Sequence, residues 1–159
     1  MKILLVGGSG FLGAWVARFL HINQYLARIF DPNKPDSEWH RLSGIRADTT
    51  EWVAGDVSKK SELDEAIRDC QGVINLAGLL TPECSQNPVQ GAEVNLIGAI
   101  NVFEGALKHG LKKVAYTSSI GVYGPDHAEF PEPTTHYGSF KLASELSLIH
   151  ISEPTRLDD

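Results

Sequence analysis

Tyr137 and Lys141 stand four residues apart, which puts both on one face of a helix. A free phenol, with a pKa of about 10, is a weak base at neutral pH. A nearby ammonium favours the phenolate and brings that pKa down. The pair can therefore move a proton to or from a substrate oxygen, the task of a general base in carbinol oxidation. By spacing alone it is equally well an exposed surface pair.

A second chemistry-bearing cluster lies at the start of the chain. Gly7, Gly10 and Gly13 follow the apolar run Ile3-Leu4-Leu5-Val6 and precede a helical pattern. In such a turn one glycine permits the bend, one lets backbone approach a pyrophosphate, and one lets helix pack on strand. The helix start adds free N–H groups and the positive end of its dipole. Asp31 closes the next apolar run, 24 residues after Gly7. A carboxylate there accepts bonds from ribose hydroxyls and repels a 2′-phosphate, so NAD is expected over NADP. Lys34, close by, would blunt that preference. The competing reading makes Asp31 the start of an Asp31-Pro32 turn.

The elements that must position these groups alternate. Strands are expected at Ile3–Val6, Leu26–Phe30, Trp52–Ala54, Val73–Ala77 and Lys113–Thr117. Helices are expected after Gly10 (Leu12, Val16, Phe19 and Leu20 at helical spacing) and over Ser58–Cys70. A long one over 87–109 is ended by Gly110, and a last one starts near Thr135. Residues 32–48, rich in Pro, Asp, Ser and Arg, read as a surface connection. The pattern predicts an α/β fold, a doubly wound parallel sheet carried as far as its fifth strand and following helix.

Composition fits one globular unit: 159 residues, 42% hydrophobic and 21% charged. The net charge of −6 argues against nucleic acid or an anionic membrane as a partner. No apolar run reaches membrane-spanning length, and Met1–Val6 is too short for a signal peptide. Cys70 and Cys84 are too far apart for a metal pair and are expected as reduced thiols in a cytoplasmic protein. The histidines, His127 and His136 among them, show no metal spacing and read as loop residues.

Six segments in order resemble the extended short-chain dehydrogenase/reductase family of NAD-dependent epimerases and dehydratases, a doubly wound Rossmann fold. They are Gly7–Gly13, Gly55-Asp56-Val57, Asn75–Gly78, Val94–Gly98, Thr117–Gly124 and Tyr137–Lys141. The resemblance covers residues 1–145 and implies roles. Gly7, Gly10 and Gly13 would hold the pyrophosphate, Phe11 and Leu12 would also touch the cofactor, and Asp31 would hold the ribose. Asp56 and Val57 would flank the adenine, and Leu76, Ala77 and Gly78 would line the far side of the cofactor. Asn95 would support the active-site helix, against the plainer reading of a helix residue bonding its own backbone. Ser119 would join Tyr137 and Lys141 as the catalytic set, with Tyr137 and Lys141 also touching the cofactor. Two departures stand out. Phe140 occupies a position where a small Ser or Thr is usual, and only 18 residues separate Ser119 from Tyr137.

After Glu145 the resemblance stops. Leu146–Arg156 match the translated end of a widely used transposase-based sequencing adapter. Residues 146–159 are therefore expected to be a non-native tail, and the nucleotide sequence decides the matter, since other codons over 146–156 overturn it. Residues 1–145 would then be the front of a longer enzyme whose substrate domain is absent, a piece expected to hold cofactor weakly and turn over nothing. The enzyme implied is an NAD-dependent epimerase, dehydratase or dehydrogenase acting on a sugar or nucleotide sugar. The alternatives are a reductase of small carbonyl compounds and a non-catalytic dinucleotide sensor. The resemblance further implies a homodimer formed by the helices at 87–109 and 135–145.

Overall fold

Leu4, Leu5 and Val6 have no polar side chain between them, so a strand built from them must be covered on both faces. The computed structural model, which describes residues 1–124 and 129–152, places them in β1 (Lys2–Val6) at the centre of a sheet. Its five strands are all parallel, in the order β3 (Glu51–Val53), β2 (Leu26–Phe30), β1, β4 (Gly72–Asn75), β5 (Val114–Tyr116). Alternation along β1 divides the core in two. Leu4 and Val6 pack with Phe30, Val73, Leu63 of α3 (Lys60–Ile67) and Val102 of α6 (Gly98–Lys108). Ile3 and Leu5 pack with Ile29, Ala14 and Ala17 of α1 (Phe11–Ile22) and Trp39 of α2 (Ser37–Ser43). Each such buried aliphatic side chain contributes about 1.5–3 kcal/mol. The chain winds one way from β1 to β3 and the other way from β4 to β5. The reversal opens a crevice at the carboxyl ends of β1 and β4.

Four expectations need correction. The stretch 32–48 is not a plain surface connection, since it contains α2. Asp36 Oδ1 accepts the Trp39 N–H at 2.7 Å as an N-cap, and Gly44, with φ +71°, ends the helix. Only Trp39 and Leu42 of this short run are apolar, too few for a periodic signal. On α1 the expected stripe faces partly the wrong way: Leu12 and Phe19 are exposed with Phe11, Trp15 and Ile22. Leu20 is buried as expected, but its buried companions are Gly13, Ala14 and Ala17, because close approach to the sheet selects small residues.

The predicted long helix is the third case. It starts as α5 (Pro88–Ala92), widens into a π turn over Glu93–Ile97 and resumes as α6. Before it lies α4 (Thr81–Gln86), which the sequence reading did not anticipate. Gly110 does end α6, with φ +67°. The fourth case is His136, which opens α7 (His136–Ser152) rather than lying in a loop; His127 lies outside the described residues. Strand β2 has the expected bounds, β1 starts one residue earlier, β3 is shifted by one residue, and β4, β5 and the Ser58–Cys70 helix are shorter than expected. α7 runs unbroken past Glu145, where Leu146 and Ile149 are exposed; residues 153–159 lie outside the described part. Among the described residues no helix is long and apolar enough to cross a membrane, and no cluster of His, Cys, Asp or Glu could hold a metal. Cys70 and Cys84 are buried and unpaired.

Candidate nucleotide and catalytic site

Between β1 and α1 the chain turns at Gly7, whose φ is +72°. A Cβ there would stand 2.5 Å from the Ala77 Cα, so the turn and the end of β4 meet backbone to backbone. At Gly13 a Cβ would lie 2.1 Å from the Gly8 carbonyl oxygen, which seats α1 against the turn. Gly10 differs: nothing lies within 4 Å of its missing Cβ, and its φ is −82°. No side chain caps the helix there, and Ala14 is the first residue whose N–H reaches Gly10 O, at 3.0 Å. The earlier N–H groups of α1 are left for whatever enters the crevice.

Asp31 follows β2 and is 9% exposed. Its Oδ2 accepts the Ser9 N–H at 3.1 Å and its Oδ1 the Asn33 N–H at 2.9 Å. Each oxygen keeps a lone pair free. The Lys34 ammonium lies over the Trp52 ring, 6.0 Å from its centre. Asp56 Oδ1 accepts the Ser58 N–H at 2.9 Å, and Asn101 of α6 donates to the Val57 and Ser58 carbonyls at 3.0 and 3.2 Å. Asp31, Asn33, Asp56 and Val57 line one cavity of about 790 Å³ together with Leu76, Ala77 and Gly78, as do Phe11, Leu12 and the three glycines of the turn. That is the size of a cofactor pocket, about 300–1,000 Å³. Asn95, Tyr137 and Lys141, also assigned to the cofactor, are not among its lining residues.

They form a neighbouring cluster with Ser119. After β5, Ser119 Oγ accepts the Gly121 N–H at 3.1 Å and starts the helical turn Ile120–Tyr123. Thr135 Oγ1 accepts the Gly138 N–H at 3.0 Å and starts α7. A Cβ at Gly121 would lie 3.4 Å from Ser119 Oγ and 3.9 Å from Tyr137 Cδ1, so the two side chains flank the same glycine. Lys141 is 3% exposed. Its Nζ donates to Thr117 O at 2.9 Å and lies 4.9 and 5.8 Å from the Tyr116 and Tyr137 ring centres. Burial pushes its pKa down to about 8. The same Nζ would be 3.5 Å from a Cβ on Gly78, which joins this cluster to the cavity wall.

Asn95 is buried in the π turn. Its Nδ2 donates to Gly91 O and Leu79 O at 3.0 and 3.1 Å and faces Cys84 Sγ at 3.2 Å; its Oδ1 has no partner. Ser144 of α7 has its Oγ 3.0 Å from the Asn95 carbonyl oxygen, so the π turn and α7 are tied directly. Asn95 thus bonds its own helix and also reaches outside it. Phe140, unusual at its position, fits because Gly91 faces it: a Cβ at Gly91 would be 3.0 Å from the ring. Sequence reasoning missed Trp39, Asn33, Asn101 and Ser144. Only the Asp36-x-x-Trp39 cap spacing could have pointed to the first; the others depend on contacts distant in sequence.

A parallel sheet that reverses at β1/β4, with a glycine turn in the crevice, defines a Rossmann-type α/β protein. The chain belongs to the NAD dependent epimerase/dehydratase family, whose family model matches residues 3–157. It is 32% identical to a bifunctional UDP-glucose 4-epimerase and UDP-xylose 4-epimerase of Pisum sativum, over 89% of this chain and 41% of that protein. It is 30% identical to an inverting UDP-N-acetylglucosamine 4,6-dehydratase of Campylobacter jejuni, over 91% of this chain and 41% of that protein. The Thermus thermophilus UDP-glucose 4-epimerase in complex with NAD superposes with a TM-score of 0.79 at 26% identity, covering 96% of this chain and 51% of that one. The Thermotoga maritima UDP-glucose 4-epimerase with UDP-glucose gives 0.85 at 24% identity, covering 96% and 52%, and shows the shared fold. The chain spans less than half the length of the curated relatives it matches.

Proposed function

We propose that this chain holds NAD across the β1–β4 crevice and carries the proton-transfer set of an epimerase, dehydratase or dehydrogenase acting on a sugar or nucleotide sugar. The observation that carries the reading is Gly10. Among the described residues nothing lies within 4 Å of a Cβ there, so packing does not require a glycine, and a side chain would project into open space beside the uncapped start of α1. A pyrophosphate in that space accepts the free N–H groups and meets the positive end of the helix. Asp31 has lone pairs for the ribose hydroxyls and repels a 2′-phosphate, which favours NAD over NADP.

NAD supplies the hydride acceptor when bound. This chain's residues do the rest. The Lys141 ammonium, with a pKa near 8, is charged at neutral pH and favours the Tyr137 phenolate. Tyr137 takes the proton of the substrate hydroxyl, and Ser119 hydrogen-bonds the same oxygen. The nucleotide-sugar class rests on the relatives named above. Pairing with a second subunit through the helices at 87–109 and 135–145 rests on the family resemblance, and exposed Ile97 and Leu107 on the first of them fit it.

NAD titration of the chain and of a longer protein that continues residues 1–145, with nicotinamide absorbance followed over a panel of UDP-sugars, tests the reading. Tyr137→Phe is expected to abolish turnover by the longer protein and leave NAD binding unchanged. Failure of the wild type to bind NAD, or undiminished turnover without the phenol, overturns it.

A further inference from the structure

The peptide unit joining Gly8 to Ser9 is held at both ends. Its carbonyl oxygen accepts the indole N–H of Trp39 at 2.8 Å, a bond buried from solvent. Its N–H donates to Asp31 Oδ2 at 3.1 Å. Trp39 is 2% exposed and does not line the cavity. Gly8 sits close against the core and leaves no room for a side chain, since a Cβ there would stand 2.9 Å from Leu5 Cβ and 3.2 Å from Ile29 Cγ2. Its carbonyl is also the surface on which Gly13, and so the first turn of α1, rests. Ser9 Oγ adds a bond to Asn33 O at 2.6 Å.

We infer that Trp39 is a positioning residue for the phosphate-binding turn, acting through the Gly8 carbonyl. A peptide plane rotates as one unit, because its carbonyl and N–H point in opposite directions across a planar bond. With the carbonyl pinned by the indole, the Ser9 N–H is aimed at Asp31, and the next N–H groups, at the start of α1, are aimed into the crevice. Without the indole N–H the carbonyl is a buried acceptor lacking this partner, and turning it toward another donor rotates the Ser9 N–H away from Asp31. Trp39 thereby fixes the turn, from a helix that does not line the cavity, while Asp31 keeps its own anchor in the Asn33 N–H on Oδ1. Asp36 holds Trp39 in place by capping α2, and Arg18 Nη1 bonds Leu42 O at 3.2 Å to keep α2 against α1.

The inference rests on the dinucleotide reading above and is tested with ADP-ribose and adenosine as separate probes. Trp39→Phe keeps an aromatic ring and deletes the N–H. It is expected to weaken ADP-ribose binding about tenfold and adenosine binding by no more than about twofold, the loss of one buried hydrogen bond felt at the phosphates. Leu42→Ala is the stability control: it loosens the same α1–α2 packing and leaves the indole bond, so the ratio of the two affinities is expected to stay at the wild-type value. An unchanged ratio in Trp39→Phe, or an equal change in Leu42→Ala, overturns the inference. If the wild type binds neither probe, it is the dinucleotide reading that fails. If Trp39→Phe does not fold, hydrogen exchange of the Trp39 indole in the wild type replaces it. Saturating ADP-ribose is expected to slow that exchange, and exchange unaffected by ADP-ribose overturns the inference.

Discussion

A Cβ on Gly138 would lie 2.3 Å from the carbonyl oxygen of Gly121. The first turn of α7 and the turn that follows Ser119 therefore meet backbone against backbone. This contact sets Tyr137 beside Ser119. Gly138→Ala forces the two apart, and overpacking of this kind costs about 1–3 kcal/mol. A lower urea midpoint is expected, with turnover in the longer protein falling further than the fraction unfolded explains. Full activity with an unchanged midpoint contradicts the packing argument.

Gly10 and Gly13 are expected to fail differently. Gly10→Ala meets open space, so its stability should fall by only about 0.5–1 kcal/mol, the penalty of alanine relative to glycine at a cap. Its affinity for ADP-ribose should drop about tenfold, since on the proposed reading the methyl group would stand where the phosphates bind. Gly13→Ala collides with the Gly8 carbonyl and should lose stability first. Thermal melts with ligand titration separate the two outcomes.

Asp31→Ser should narrow the preference for NAD over NADP. On the proposed reading the carboxylate is the group that would repel a 2′-phosphate, and its removal also takes acceptors from the Ser9 and Asn33 N–H groups. NAD affinity is expected to fall about tenfold, consistent with losing a charge-assisted bond, while NADP affinity holds or rises. Parallel calorimetric titrations of both cofactors measure the ratio.

Lys141 gives a pH signature. Burial lowers its pKa from 10.5 to about 8. Between those values the unfolded chain holds a proton that the folded chain has lost, so stability rises with pH. Below about pH 8 both states are charged and the full cost of burial is present. Cys70 and Cys84, raised by burial above their ordinary 9.0, act in the opposite sense at higher pH, which leaves a clean window of about pH 8–9. Lys141→Met should be more stable than wild type at pH 7, by up to about 3 kcal/mol, and that advantage should shrink across the window. Urea unfolding of both proteins at several pH values tests it, and a constant difference counts against a depressed Lys141.

Local strings determined a great deal. The run Ile3–Val6 closed by Gly7, the acid at the end of Leu26–Phe30 and the Tyr137–Lys141 spacing each carry a conformational preference within a few residues. They can be read before any tertiary contact exists. Alternation of strand and helix then leaves few topologies, and the five-stranded parallel sheet is the expected one. The face that α1 buries was not legible, because Ala14 and Ala17 are chosen by how close the sheet lies rather than by hydrophobicity. Nor was the π turn, whose Asn95 carbonyl meets Ser144 across 49 residues of sequence. Only the tertiary structure decided that Trp39, in a stretch without helical periodicity, would reach back 31 residues to hold the Gly8 carbonyl. A hydrogen bond between distant segments needs both in place, and no pattern along the chain encodes the direction in which a side chain finally points.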